Sequence, residues 1–303
     1  MSVDYRDAVE AFFAPRPAGT ALPAAVTTGS PARRLRDAAE PIAMHAVWSR
    51  GTNERLAALG LDFLTAYVGG RAASLGEPVG AVVGSAFAWF EPGLVSASYD
   101  GARSVVHRAE LLQVRDEATV ASLREVLAGQ DPSEIADLLA DAVTPADGTG
   151  RPLFSGLRDR GRPEDPVQRL WWVCDLVREH RGDSHLAAAT AARVGPVEMN
   201  ILTELWVGMP MLSYTGTRGW PPEAMQAAVE SLRTRGWLVG EDLSDEGRTA
   251  RAALEARTDA QEDSIVASLG SRLDDVCAQL DDWGARCVAA GAFPADVLKR
   301  AAG

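Results

Sequence analysis

The densest chemistry in this sequence is the run Arg-Glu-His-Arg-Gly-Asp-Ser-His-Leu at 178–186. It sets two of the chain's four histidines, two acids and two arginines within nine residues. Local rules make it a corner between helices. Gly182 suits the left-handed position that ends a helix running to His180. Asp183 suits the N-cap of the next helix, and a protonated His180 sits well at the negative end of the first helix's dipole. That reading leaves His185 unexplained. The alternative is the polar floor of a pocket.

Arg71 bears on the choice. It follows Leu64 by seven residues and Tyr67 by four, so it lies on or beside an apolar helical stripe. A guanidinium there snorkels outward or meets an acid, because an unpaired buried charge is expensive. Glu91, Glu179 and Asp183 are the candidate partners for a structural pair; the functional version is an anion-binding arginine. Trp48, Phe63, Tyr67, Phe87, Trp89, Phe90, Trp171 and Trp172 fall in core-facing helical patterns. They serve equally as plain core or as the walls of an aromatic pocket. The candidate ligand-binding set is therefore His45, Arg71, Trp89, Glu91, Trp172, His180, Asp183 and His185.

Catalytic alternatives are thinner. Three histidines and a carboxylate satisfy a divalent metal in some helical bundles. His180 and His185, however, are five residues apart with a glycine between, unlike the four-residue step of HExxH. No metal ligands are assigned. GxSxG, Walker and GxGxxG patterns are absent, so no cofactor is implied and catalytic residues stay unassigned. His107 reads as a satisfied helix residue. The paired aspartates 274–275 and 281–282 read as solvated charge. The enzyme alternative is a metal-dependent or acid–base hydrolase-like protein built on Glu179, His180, Asp183 and His185.

The elements that must position these residues read as mostly helix. Residues 1–36 read as a flexible extension, a short helical start (DYRDAVEAFF) leading into a stretch rich in Pro, Ala, Thr and Gly. Amphipathic helical patterns fill 37–145, and a Pro/Gly-rich stretch over 146–164 reads as a linker. From Asp165, Pro166 and Gln168 a capped helix begins, opening a unit that runs to residue 260. Within that unit a helix at 221–235 has Met225, Val229 and Leu232 inward. Trp237-Leu238-Val239 reads as a strand, 240–242 as a turn and Leu243 as the return strand, and Ser244 caps the next helix. In the last segment, 261–303, residues 266, 269, 273, 276, 280, 283 and 287 form an apolar seam at three- and four-residue steps. That seam suits either a homodimer through 262–290 or an intramolecular partner, since Gly270 and Gly284 weaken it.

The succession helix, RGWLV (235–239), LSDEGR (243–248) resembles the winged helix of MarR-type regulators. A second resemblance runs from about residue 37 to the end. EPIAMHAVWS, GGRAASLG, FAWFEP, REHRGDSH and RGWLV…LSDEGR are similar to an actinobacterial helix-turn-helix family of poorly established function. That family often carries histidine where this chain has Glu91. Together the resemblances imply a mainly α fold: a helical N-terminal domain plus a MarR-like winged helix-turn-helix with a small β-wing. They imply a ligand-responsive transcriptional regulator with double-stranded DNA as a possible partner.

Charge argues against easy DNA contact. The net charge is −12, which repels nucleic acid at long range. The helix at 221–235 turns Glu223, Gln226, Ala227, Glu230 and Arg233 outward, and the wing tip is Gly240-Glu241-Asp242. Arg218, Arg233 and Arg235 are the candidate phosphate contacts. Three cysteines without a CxxC pair read as buried thiols in a reducing cytoplasm. No apolar run approaches the length of a membrane span.

Overall fold

The computed structural model describes residues 4–15, 22–23 and 29–302. Helix α1 (Tyr5–Phe13) starts at Asp4, whose carboxylate accepts from the Arg6 amide. Helix α2 (Pro31–Ala43) starts where Ser30 caps the Arg33 amide and Pro31 fills the first turn, the position at which a missing N–H costs nothing. It buries Leu35, Ala38, Ala39 and Ile42. Helix α1 and the first six residues of α2 fall within the stretch 1–36 expected as a flexible extension; Leu35 and its neighbours bury enough surface to order the chain from Pro31 on. The parts of that expectation at 1–3, 16–21 and 24–28 lie outside the described residues.

Short helices α3 (His45–Trp48) and α4 (Arg50–Ala57) lead to α5 (Phe63–Ala72), α6 (Gly80–Phe87) and α7 (Pro92–Val105). Helix α8 (Arg108–Leu127) starts at His107, which is the N-cap residue rather than a residue of the helix. Helix α9 (Ser133–Val143) follows.

The stretch expected to be a linker, 146–164, contains helix α10 (Pro152–Asp159). Leu153, Phe154 and Leu157 put an apolar face on this short helix, and Phe154 is fully buried. Gly156 allows its backbone to press against the turn at 73–75, because a Cβ there would overlap the Ser74 carbonyl. Glycine and proline here mark a close approach, not a slack connection.

Helix α11 (Pro166–Ala191) is 26 residues long and unbroken, about 39 Å at the usual rise. The expected corner at Gly182-Asp183 is therefore corrected: both residues lie inside the helix, and Asp183 starts no new helix there but takes the Phe154 amide in the first turn of α10. An interior glycine costs about 1 kcal/mol. Burial on both sides of it is much larger. The first half packs Leu170, Val173, Leu176 and Val177 into the main core with α2, α8, α9 and α10, while Ala188 and Ala189 join a second core.

That second core belongs to α12 (Pro196–Trp206), α13 (Pro222–Thr234), strands β1 (Leu238–Val239) and β2 (Asp242–Leu243), and α14 (Asp245–Ala260). The strands pair antiparallel, Leu238 opposite Leu243, with Gly240 in the left-handed region at the turn. Ser244 caps α14 through the Gly247 amide. From α13 onward the helix–wing–helix order matches the one read from 221–260.

The C-terminal seam breaks at Gly270 into α15 (Asp263–Leu269) and α16 (Leu273–Ala289), and α17 (Val297–Ala302) follows. Val276, Leu280, Trp283 and Cys287 are buried in the main core together with Leu35 and Ile42 of α2. Gly284 permits the approach, with Pro41 only 3.2 Å from where its Cβ would sit. The seam finds its partner inside the chain, so it is not free to pair two copies. Among the described residues, no helix is long and apolar enough to cross a membrane.

Gly156→Ala tests the packing of α10. An exposed helical glycine changed to alanine gains about 1 kcal/mol; here the overlap with Ser74 is expected to reverse the sign and cost about 1–3 kcal/mol in urea denaturation. A stabilised variant would mean that α10 does not rest on 73–75.

Candidate functional site

Between the two cores lies a cavity of about 880 Å³, a size that takes a drug-sized molecule. The helical layer contributes Met44, Val47, Trp48, Phe63, Leu64 and Tyr67. The other half contributes Met199, Asn200 and Thr203 of α12 and the 208–219 connection, and α11 crosses between them at 178–185. Helix α1 closes one side: Phe12 stacks on Trp48 at 4.6 Å and the Tyr5 hydroxyl donates to the Trp48 carbonyl at 2.7 Å.

The polar wall is built from arginines. Arg71 grips Glu179 with two bonds, Nε to Oε1 at 2.6 Å and Nη2 to Oε2 at 2.7 Å. This decides among the three acids weighed for it. Arg178 Nη1 reaches the same carboxylate at 2.9 Å. Burial works against a charged Glu179, yet Arg71 and then Arg178 outweigh it and hold its pKa below the usual range.

A second cluster converges on Glu255 of α14. Arg33 donates to it at 2.9 Å, Arg181 at 2.5 Å and Arg251 at 2.7 Å. Burial again opposes the carboxylate, and the three arginines overcome it, so its pKa lies well below the ordinary value.

His185 sits beside this cluster on the cavity wall. Its Nδ1 is 2.9 Å from the Thr258 hydroxyl oxygen, and that hydroxyl itself donates to the Leu254 carbonyl. The proton between them therefore belongs to Nδ1, which leaves Nε2 as an acceptor. Burial, followed by Arg251, pushes the imidazole pKa down to about 3. It is a neutral ring at physiological pH. The Trp89 ring lies 5.6 Å away.

Of the eight expected ligand-binding residues, then, Arg71, Trp89 and His185 share the cavity. The other five do not reach it. His45 is buried in α3 with Nε2 3.0 Å from the Ser122 hydroxyl, and burial lowers its pKa to about 4. Glu91 caps α7, accepting from the Gly93 and Leu94 amides at 2.9 and 2.6 Å. Trp172 is core, its Nε1 donating to the Leu157 carbonyl at 3.1 Å. His180 turns away from the cavity, with Nδ1 2.7 Å from Glu262 Oε2. Asp183 accepts from the Phe154 amide at 3.1 Å; burial, then Glu179, pushes its pKa up to about 7.

The reason is geometric. An unbroken α11 sends successive side chains around the helix instead of gathering them at a bend. Glu179, His180, Asp183 and His185 each face a different partner, which gives the acid–base and metal alternatives no common centre. Among the described residues, no group of three His, Cys, Asp or Glu could hold a metal ion.

The nucleic-acid candidates also divide. Arg218 is in the cavity wall, not on the face that α13 and the wing present. Arg235 donates to the Arg193 carbonyl at 2.5 Å and lies over the Trp237 ring. Arg233 is exposed beside Glu230 at 4.0 Å. Glu223, Glu230, Glu241 and Asp242 are exposed around them.

Arg33, Arg36, Arg178, Arg181, Arg251 and Glu255 were not foreseen as cavity residues. A signal for some of them exists in the sequence. Arg251, Glu255 and Thr258 share a helical face with Leu254 (steps of three and four), so charge falls where an apolar residue is expected.

A family model described as a helix-turn-helix family matches residues 32–294. No curated protein and no solved structure matches the chain.

Two outcomes follow from these buried groups. Glu179→Gln leaves Arg71 and Arg178 without their shared counter-charge and is expected to cost about 3–5 kcal/mol in chemical denaturation. A neutral result would contradict the pairing. Asp183 has a folded pKa near 7 against an ordinary value of 3.8. Its contribution is therefore fully present below pH 3.8 and lost as pH rises through 7. Asp183→Asn cannot lose a proton, so its stability relative to the wild type is expected to rise between pH 4 and 8. A constant difference over that range would contradict the shift.

Proposed function

The chain belongs to this helix-turn-helix family, and on that premise we propose that it is a small-ligand-binding, MarR-like winged-helix protein that regulates transcription, with the cavity as its sensor site. One observation carries the reading. A single cavity takes its walls from the helical layer (α2, α3, α5) and from the winged half (α12, α14 and the 208–219 connection). An occupant therefore touches both bodies at once. Where two arrangements of those bodies offer it different contacts, its differential affinity shifts their populations.

The expected output is a change at α13 and the wing. Any duplex contact there relies on Arg233 and Arg235, with Arg248 of α14 exposed beside Asp245 at 3.8 Å, against Glu223, Glu230, Glu241 and Asp242. With so little excess positive charge, non-specific affinity is weak and steeply salt-dependent. Base contacts or a partner must supply the rest.

The test has two readouts. The fluorescent apolar anion 8-anilinonaphthalene-1-sulfonate is expected to bind the wild type, and Thr203→Trp, which fills the cavity, to abolish binding. On binding, amide exchange in 222–243 is expected to change along with exchange in the cavity walls. Exchange altered only in the walls would break the link to the wing. Failure to retain any duplex from the gene's upstream region at low salt would remove the DNA half.

A further inference from the structure

Among the described residues seven arginines line the cavity, and six of them have a carboxylate. Asp37, Glu40, Glu179, Glu255 and Asp259 serve Arg33, Arg36, Arg71, Arg178, Arg181 and Arg251. Arg218 is the exception. Its guanidinium has no ion-pair or hydrogen-bond partner among the described residues, and its Nε is sealed from solvent without an acceptor. The segments outside the described residues, 1–3, 16–21, 24–28 and 303, contain no aspartate or glutamate side chain to supply one.

The side chain is nonetheless held in place. Its Cζ lies 4.5 Å from the centre of the Phe90 ring and 4.0 Å from that of Tyr214, contacts that stabilise a cation without neutralising it. The backbone beneath is fixed as well. Buried Glu204 accepts from the amides of Leu212, Tyr214 and Thr215, and the Arg218 carbonyl accepts from the Glu91 amide at 2.9 Å. The nearby acid, Glu91, is occupied in capping α7. A planar cation is thus pre-positioned on a cavity wall, with no negative partner of its own.

We propose that Arg218 anchors the carboxylate of an organic acid whose apolar body fills the cavity. The inference rests on the reading of the cavity as a ligand site and adds the chemical class of its occupant. A planar guanidinium matches a planar carboxylate with two parallel bonds. One unmatched arginine calls for a single negative charge. A phosphate dianion would bring a second charge to a wall whose other arginines are already satisfied. Lys299, also a cation on the wall, lies within the field of Asp296, and its ammonium is already committed to the Ala11 and Phe12 carbonyls at 3.2 and 2.6 Å. Trp48, Phe63, Tyr67, Trp89, Phe90 and Met199 offer the rest of the molecule an apolar and aromatic lining.

A matched pair of probes tests the assignment: naphthalene-1-acetate and its uncharged analogue naphthalene-1-acetamide, titrated into the full chain by calorimetry. The acid is expected to bind at least about tenfold more tightly than the amide. Arg218→Gln is expected to lower acid affinity roughly tenfold to a hundredfold and to leave amide affinity within about a factor of two, which also shows that the cavity has stayed intact. Equal binding of the two probes by the wild type would overturn the anchor and leave the cavity reading standing. Equal losses for both in Arg218→Gln would overturn it too, by making the residue a packing element. Binding of neither probe would remove the anchor and the ligand site together.

Discussion

A charge buried in a helical protein is costly unless it meets its opposite, and Glu255 is where this chain satisfies that condition most densely. Its carboxylate receives Arg33 from α2, Arg181 from α11 and Arg251 from its own helix. Residue 33 precedes residue 255 by 222 positions, so the contact joins opposite ends of the sequence. Pairs of this kind add little net stability over an apolar replacement, but the loss of one partner is costly. The arrangement in which α2, α11 and α14 meet is therefore favoured over any that leaves one of these groups alone. Glu179 does the same between α5 and α11 through Arg71. The two carboxylates set the spacing of the cavity walls.

These constraints also explain which features could be read from the sequence. The wing was legible because its signals are local: a glycine where the hairpin needs a left-handed residue, and Ser244 where α14 needs a cap. The start of α11 was legible for the same reason, with Asp165 accepting from the Val167 and Gln168 amides. The corner at 182–183 carried equally good local signals and yet is not there. Gly182 and Asp183 favour a break by an amount of order 1 kcal/mol, whereas the apolar groups on either side are committed to two different cores that only a straight helix can join. A similar override turned the Pro/Gly-rich stretch at 146–164 into a packed helix around Phe154.

The site was less legible than the fold because convergence is a tertiary property. Arg71, Trp89 and His185 stand out in the sequence as polar or aromatic groups beside apolar helical faces. His45 and Trp172 share that property and end in the core. Histidine content was a poor guide. His45, His180 and His185 each have a separate partner in Ser122, Glu262 and Thr258. The arginines were the better indicator. Several fall on helical faces shared with apolar residues, where each demanded an acid that the sequence alone could not assign.

The shape of α11 restricts how a signal could pass if the cavity is the sensor. It meets the cavity near its middle, at Arg178, Arg181, Gly182 and His185, and it is packed into a different core at each end. Bending it would open one core or the other, so a response routed through flexure of this helix is energetically disfavoured. The connection between α12 and α13 is a better candidate. It carries Arg218, contains the left-handed residues Gly208, Leu212 and Gly219, and is tied to the winged half through the Glu204 carboxylate and through Met211, Leu212 and Trp220 packed on the second core. Left-handed backbone at a non-glycine residue such as Leu212 stores strain that surrounding contacts must hold in place. Neutralising Arg218 changes the balance of those contacts in the one segment that leads directly into α13. On this reading the charged end of the ligand, more than its apolar bulk, is what would reach the wing.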